Sequence, residues 1–207
     1  MAYFPLFVEI SKKKCLVVGG GQRAFEKVAA LFDFGAQITV IAPKIVEDIK
    51  EVSGVTCIER KFQESDVEGQ FIVVAASEDS GENTMISEIC KQLGIHVNVL
   101  DNKEESTFLF SEYIKQRDVV AAFSSSGKCP VVDKYMKLQN TEVVDSFLGE
   151  VNEFFASIKR QVDKCVPDPQ RRVMVYEDLL EATLILKRKP TMDQVGSVIE
   201  HINEKEL

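Results

Sequence analysis

The amino-acid sequence predicts an α/β protein built on a parallel, doubly wound sheet that is followed by a helical region. Apolar strand-like runs alternate with helix-like segments up to about residue 100, which is the pattern of parallel βαβ units. The run at 71–75 (FIVVA) is apolar throughout, as expected for a strand covered on both faces. From Thr141 onward the apolar residues recur at helical spacing instead.

Residues 15–27 (CLVVGGGQRAFEK) place three consecutive glycines between a strand-like run and a helix-like one. This is the G-x-G-x-x-A form of the dinucleotide-binding fingerprint. Gly19 would allow the tight turn, Gly21 the approach of a pyrophosphate, and Ala24 close packing of helix on strand. The N–H groups and the positive dipole end of the helix would face the phosphates. Glycines also serve simple tight turns, but the flanking elements favour a nucleotide-binding Rossmann unit.

The other elements follow in order along the chain. Alternating apolar residues at 4–8 predict a short edge strand, Gly35 a glycine C-cap, Pro167 and Pro169 a helix break, and Thr191 a helix N-cap. On helix 83–93, Met85 and Leu93 are expected to face inward with their apolar neighbours. The predicted strands after the glycine turn are 37–41, 55–59, 71–75, 95–100, 107–110 and 119–123, and the predicted helices are 44–52, 83–93, from 131, from 141, 173–187 and 192–203.

Composition limits the class of protein. With 207 residues, 45% hydrophobic and 28% charged, the chain suits an ordinary soluble domain with a smaller appendage. No apolar run approaches the ~20 residues of a membrane span, and the N-terminal lysines follow the apolar residues, the reverse of a secretory signal. We therefore expect a cytoplasmic protein. The net charge of −8 argues against nucleic-acid binding, and five cysteines without C-x-x-C pairing indicate reduced, buried thiols rather than zinc or disulfides.

Four stretches, the glycine turn among them, together resemble a known family. The order of GGGQRAFEK (19–27), AASEDSGEN (75–83), VNVLD (97–101) and FSSSGKCP (123–130) is similar to the stand-alone siroheme synthase family. Its members are precorrin-2 dehydrogenases, and some are also sirohydrochlorin ferrochelatases. The resemblance covers the chain up to about residue 140. It implies NAD as hydride acceptor, precorrin-2 as substrate, sirohydrochlorin for siroheme or cobalamin as product, and a homodimer, with no nucleic acid or membrane as partner.

The resemblance also implies a domain division and site residues. Residues 1–112 would form the NAD-binding Rossmann domain, 113–145 a dimerisation segment, and 146–207 a helical C-terminal domain. Asp101 would be catalytic, and no residue is assigned to a metal. The expected cofactor-binding residues are Gly19, Gly20, Gly21, Gln22, Arg23, Ala24, Ala42, Pro43, Ala76, Ser77 and Asn83, and the expected substrate-binding residues are Ser124, Ser125, Gly127, Lys128 and Lys134.

The chain departs from the family pattern on the side expected to hold the tetrapyrrole. Asn102 follows the aspartate where the family commonly has proline, Ser111 ends a stretch that elsewhere ends in proline, and Asp133 precedes Lys134. These changes leave an alternative open, namely a non-catalytic NAD(H)-binding regulatory or partner protein on the same scaffold. In that alternative, Asp101 would only cap a turn.

The expected ribose-binding position carries no acid. NAD-preferring Rossmann sites usually hold the ribose with Asp or Glu about 20 residues past the glycines, but residues 41–43 are Ile-Ala-Pro. NAD is therefore expected from the resemblance rather than from these residues. The two histidines, His96 and His201, are expected on a strand and on a solvated helix face, so a dedicated iron site is not indicated.

Overall fold

The computed structural model describes residues 3–204, which divide into two compact units. The first unit comprises the chain up to Phe110 together with Ser126–Lys128. The second comprises Ser111–Ser125 and the chain from Cys129 onward. Within residues 3–204, no helix is both long and apolar enough to cross a membrane.

The first unit is a five-stranded parallel sheet, with helices between successive strands. Its strands are β1 Lys14–Val18, β2 Gln37–Ala42, β3 Thr56–Glu59, β4 Ile72–Ala75 and β5 His96–Val99. Their order across the sheet is β3-β2-β1-β4-β5. The chain therefore moves outward from β1 in one direction and then crosses to β4 on the other side of β1. Such a switch point is where open α/β sheets bind ligands, beyond the carboxyl ends of the strands.

Helices cover both faces of this sheet. They are α1 Gln22–Asp33, the single turn α2 Glu47–Lys50, and α3 Ser80–Leu93. Strand β1 divides its side chains between two cores: Cys15 and Val17 pack with α1, whereas Leu16 and Val18 pack with α3. All four are buried, as expected for a parallel strand covered on both sides. The predicted α/β class with a Rossmann-like parallel sheet is confirmed.

Gly35 ends α1 in the way that the sequence predicts. Its φ of 73° lies in the left-handed region. Its N–H donates to the Phe32 carbonyl (2.9 Å), and the Ala36 N–H donates to the Leu31 carbonyl (3.2 Å). This pair of hydrogen bonds is the Schellman motif, which satisfies carbonyls at the helix end.

The second unit joins a two-stranded ribbon to four helices. The antiparallel strands are β6 Glu112–Gln116 and β7 Val119–Phe123, and the helices are α4 Pro130–Asn140, α5 Ser146–Cys165, α6 Pro169–Leu186 and α7 Met192–Glu204. The predicted helix break falls between Cys165 and Pro169. Thr191 and Gln194 exchange backbone-to-side-chain hydrogen bonds, so the predicted N-cap before α7 is confirmed.

Several predicted features differ in the structure. Residues 4–8 form no strand and expose Phe4 and Leu6, because this segment pairs with neither edge of the sheet. The predicted helix 44–52 shrinks to the single turn of α2. On α3, Met85 and Leu93 are exposed, because the buried face follows the spacing of Asn83, Ile86, Ser87 and Cys90 instead.

The segment 107–110 was predicted as a strand but runs beside β5 without being one. Thr107 donates its N–H to the Val97 carbonyl (2.8 Å), and its Oγ1 accepts the Val97 N–H (2.8 Å). The Asn98 side chain donates to the Phe108 carbonyl (3.0 Å). Side-chain hydrogen bonds thus replace some of the backbone hydrogen bonds that would pair a strand with β5. Residues 112–116, which lie between the predicted strands 107–110 and 119–123, form strand β6.

The cysteines differ in their environment more than predicted. Cys15 and Cys90 are buried, and burial raises the pKa of each thiol to about 11. Cys57 and Cys129 are partly buried, and Cys165 is exposed. The expectation of small buried thiols therefore holds for Cys15 and Cys90 and is wrong for Cys165, which lies at the end of α5.

Candidate functional site

The turn after β1 depends on the lack of a side chain at Gly19. The φ of Gly19 is 129°, and its N–H donates to the Ile41 carbonyl of β2 (2.9 Å). A Cβ placed on Gly19 would lie 2.3 Å from the carbonyl oxygen of Ala76. The chain therefore passes directly over the end of β4, at the switch point of the sheet.

Gly20 and Gly21 serve different purposes. A Cβ on Gly20 would lie 2.1 Å from the Lys44 carbonyl oxygen, and the Gly20 carbonyl accepts the Val46 N–H (2.9 Å). A Cβ on Gly21, in contrast, would meet nothing within 4 Å. The protein's own packing requires glycine at the first two positions, whereas the space beside Gly21 is open to a ligand.

The start of α1 is suited to an anion. Gly21 is the N-cap residue, no side chain caps the helix, and its first turn contains no acid. Gln22 and Arg23 are exposed in this turn, whereas Ala24 is buried against the sheet. The uncapped N–H groups and the helix dipole favour a phosphate here. Ala24 contributes close packing, as the fingerprint predicts, rather than a surface for the cofactor.

Asn83 holds the neighbouring loop through its side chain. Its Nδ2 donates to the Ser77 carbonyl (2.9 Å), and its Oδ1 accepts the Ser77 N–H (3.0 Å). Asn83 is buried, and Ser77 follows Ala76 directly at the end of β4. Asn83, which is expected to bind the cofactor, thus supports the loop that borders Gly19.

The end of β2 borders the same region. Ala42 is buried and would contact a side chain at Gly20, while Pro43 and Lys44 are exposed. No acid lies between residues 41 and 44. The usual carboxylate for the ribose hydroxyls of NAD is thus missing at this strand end, where Lys44 supplies a cation instead.

Asp101 lies at the same edge of the sheet, just beyond β5. The Leu100 N–H still donates to the Ala75 carbonyl of β4 (3.0 Å), and Asp101 follows with a left-handed φ of 62°. Its Oδ2 lies 2.5 Å from Nη1 of Arg23, and both side chains are largely exposed. The structure therefore places the predicted catalytic carboxylate beside the first turn of α1.

Comparison with known proteins agrees with this geometry. Residues 6–112 match the model of the family described as "Putative NAD(P)-binding". The chain belongs to this NAD(P)-binding family. The predicted nicotinamide dinucleotide cofactor is thereby confirmed, and the family segment includes every expected cofactor-binding residue as well as Asp101.

Individual relatives carry more specific names. The chain is 29% identical over 187 residues to a siroheme synthase of Nitrosococcus oceani, an alignment that covers 89% of this chain and 40% of the relative. It is 32% identical over 165 residues to a siroheme synthase of Vesicomyosocius okutanii, an alignment that covers 78% of this chain and 35% of that relative. The chain thus spans about two fifths of the length of these relatives. The predicted resemblance to siroheme synthases is confirmed.

A solved structure shares the fold of the whole chain. The structure described as SirC, precorrin-2 dehydrogenase, superposes with a TM-score of 0.69 at 18% sequence identity, covering 98% of this chain and 100% of that one. The similarity extends beyond the NAD(P)-binding segment to the ribbon and helices of the second unit.

The loop that carries Asp101 in this NAD(P)-binding unit is anchored by residues that sequence reasoning missed. The buried Ser106 accepts the Val99 N–H (2.9 Å) and donates to the Asn102 carbonyl (2.8 Å). Ser87 of α3 donates to the Glu105 carbonyl (2.6 Å). For Ser87, the signal available in the sequence was a serine on the buried face of a helix. The Asn102 N–H also donates to the Val99 carbonyl (3.2 Å), a hydrogen bond that a proline at this position would lose.

The five expected substrate-binding residues are divided between the two units. Gly127 and Lys128 belong to the first unit, where Gly127 lies against Leu109, and a Cβ there would lie 3.2 Å from the Leu109 Cδ1. Ser125 belongs to the second unit and exchanges hydrogen bonds with the backbone of Cys129, just before α4. Ser124 and Lys134 also lie in the second unit and are exposed. Their binding of substrate stays a prediction.

The contrast between Gly20 and Gly21 gives a paired test. Gly21→Ala should lose less than about 1 kcal/mol of stability, because its Cβ meets open space at a φ of −90° and only the N-cap preference for glycine is lost. It should bind NADH about tenfold more weakly, a loss of about 1.4 kcal/mol. Gly20→Ala should lower the free energy of unfolding by about 1–3 kcal/mol, because the added carbon overlaps backbone. Urea denaturation and NADH fluorescence titration measure the two effects. Unchanged NADH binding by Gly21→Ala would show that the diphosphate does not use this space.

The residues after β2 predict weak discrimination between the two nicotinamide dinucleotides. NADP⁺ should bind within about tenfold of NAD⁺, since residues 41–44 contain no acid to repel the 2′-phosphate. Lys44→Glu should then weaken NADP⁺ about tenfold relative to NAD⁺. The matched control is Lys14→Glu, which makes the same charge change at the opposite end of the sheet. Calorimetric titration of each protein with both dinucleotides measures the ratio. Equal ratios for the two variants would remove Lys44 from the ribose site.

Proposed function

We propose that this protein is an NAD-dependent dehydrogenase that converts precorrin-2 to sirohydrochlorin in siroheme or cobalamin biosynthesis. The observation that carries the proposal is the position of Asp101, whose carboxylate lies beside the first turn of α1 at the dinucleotide edge of the sheet. The names of the relatives, siroheme synthase and precorrin-2 dehydrogenase, support this substrate.

The cofactor fits the residues at the glycine turn. The open space at Gly21 and the uncapped N–H groups of α1 would hold the diphosphate. Pro43 and Lys44 would border the adenosine ribose at the end of β2. When bound, the nicotinamide supplies a hydride acceptor.

Asp101 would act on the proton that is removed together with the hydride. Dehydrogenation of the reduced macrocycle removes a hydride and a proton, and a carboxylate at the cofactor edge can accept the proton or orient the ring. Its turn is held by the hydrogen bonds of Ser106 and Asn102. A fixed turn holds the Asp101 backbone in place, so that its carboxylate stays at the cofactor edge of the sheet.

A polycarboxylate substrate must find local cations on this acidic chain. Within the first unit, Arg23 and Lys27 are four residues apart and therefore share one side of α1. Lys27 Nζ lies 5.0 Å from the ring centre of Phe110, the last residue of the first unit's segment after β5. Lys103 belongs to the same segment and lies near Gly127. We assign the ring carboxylates to Lys27 and Lys103, with Lys128 as a further member.

Replacement of Asp101 tests the reaction directly. Asp101→Asn keeps the size of the side chain and suits a left-handed backbone, so the variant should fold and retain NAD⁺ binding. Its kcat for NADH formation from NAD⁺ and precorrin-2 should fall about 100- to 1,000-fold, the usual loss of a general base.

The control for that assay is Asp48→Asn, the same change at an exposed position on α2. Full activity of Asp101→Asn would remove its catalytic role. Binding of NAD⁺ without any turnover in the unaltered protein would instead support a non-catalytic NAD(H)-binding partner. Adding Fe²⁺ to the sirohydrochlorin formed then tests separately for metal insertion.

We also propose a homodimer formed through α4, within the predicted dimerisation segment 113–145. Val131, Tyr135 and Leu138 have spacings of four and three residues, so they lie on one face of α4. They are 74%, 61% and 69% exposed, respectively. A continuous apolar helix face left in water is typical of an interface, and we assign a second copy of this chain to it.

A charge on this face should break the dimer. Leu138→Glu is expected to sediment as a monomer at concentrations where the unaltered protein is dimeric, because a carboxylate would be buried without a partner. Gln161→Glu, at an exposed position of another helix, α5, should remain dimeric. Sedimentation equilibrium measures the mass, and circular dichroism checks that both variants fold. A dimeric Leu138→Glu would place the interface elsewhere.

A further inference from the structure

The ion pair between Arg23 and Asp101 joins two parts of the site that have different tasks. Arg23 is the second residue of α1, in the turn that faces the open space at Gly21. Asp101 belongs to the loop after β5, and its Oδ2 lies 2.5 Å from Arg23 Nη1. One side chain thus belongs to the dinucleotide turn, and the other to the proposed chemistry.

This pair is weakly held. The side chains of Arg23 and Asp101 are 58% and 74% exposed, and exposed ion pairs contribute little because water and salt screen them. A guanidinium binds phosphate oxygens in two parallel hydrogen bonds. A diphosphate on the first turn of α1 would also be held by the helix dipole. It therefore competes well against the Asp101 carboxylate for Arg23.

The backbone of Asp101 would stay in place when Arg23 moves from the carboxylate to a diphosphate. Its turn is fixed by the hydrogen bonds of Ser106 with Val99 and Asn102. Release of Arg23 would therefore free the carboxylate without moving the loop. Among the ion pairs within residues 3–204, Asp101 takes part in the one with Arg23.

We propose that Arg23 is a positioning residue that couples dinucleotide binding to the availability of Asp101. Without the dinucleotide, Arg23 holds the carboxylate; when the diphosphate binds, Arg23 turns to the phosphates and Asp101 is released toward the substrate. The inference rests on the proposed function and adds an order to it, because the ring meets an unpaired carboxylate only after the dinucleotide is in place.

A thermodynamic cycle of NAD⁺ dissociation constants tests this coupling. The four proteins are the unaltered chain, Asp101→Asn, Arg23→Met and the double variant, titrated by calorimetry at low ionic strength. Asp101→Asn should tighten NAD⁺ binding about two- to fivefold when Arg23 is present, the range expected for an exposed pair. In the Arg23→Met background the same change should have no effect, and Asp48→Asn should have none in either.

Each other outcome counts against the coupling. Equal NAD⁺ affinity of the unaltered chain and Asp101→Asn would show that the carboxylate does not compete for Arg23. Equal tightening in both backgrounds would show a general charge effect that does not pass through Arg23. Absence of NAD⁺ binding by the unaltered chain would overturn the proposed function itself, a result distinct from NAD⁺ binding without coupling. Circular dichroism of all four proteins separates loss of binding from loss of fold.

Discussion

The candidate site depends on one close approach, that of Gly19 to the carbonyl of Ala76. Only a residue without Cβ can turn there, since the added atom would lie 2.3 Å from that oxygen. The turn brings α1 down onto the sheet, where Ala24 packs in the core. As a result, the uncapped start of α1 points across the carboxyl edge of the sheet. The positions of Gly21 and Arg23 follow from this bend.

Sheet topology then brings distant residues to the same edge. Because β4 lies beside β1, its loop meets the glycine turn, and Asn83 fixes that loop through Ser77. Because β5 lies beside β4, the loop after it carries Asp101 to Arg23. Parallel strands end at one side of the sheet, so residues far apart in sequence meet there without any long-range motif.

Local chemistry made part of this predictable. The glycine turn and the glycine C-cap at Gly35 follow from backbone conformations that few residues adopt. Asp101, in contrast, was singled out by resemblance, since an aspartate at a strand end has no distinctive pattern. The segment 107–110 was wrongly predicted as a strand because its β-branched and aromatic residues suit one, whereas Thr107 bonds β5 partly through its hydroxyl. Ser106 and Ser87 were missed because a hydroxyl's partners are visible only in three dimensions, although the position of Ser87 on the buried face of α3 was a signal.

The central claim is that a dinucleotide diphosphate occupies the first turn of α1 next to Asp101. A crystal structure of the protein with NAD⁺ tests it most directly. The expected result is a diphosphate hydrogen-bonded to the N–H groups that follow Gly21, with the nicotinamide on the same edge of the sheet as Asp101. A dinucleotide bound away from this turn, or with its nicotinamide directed away from Asp101, would contradict the account.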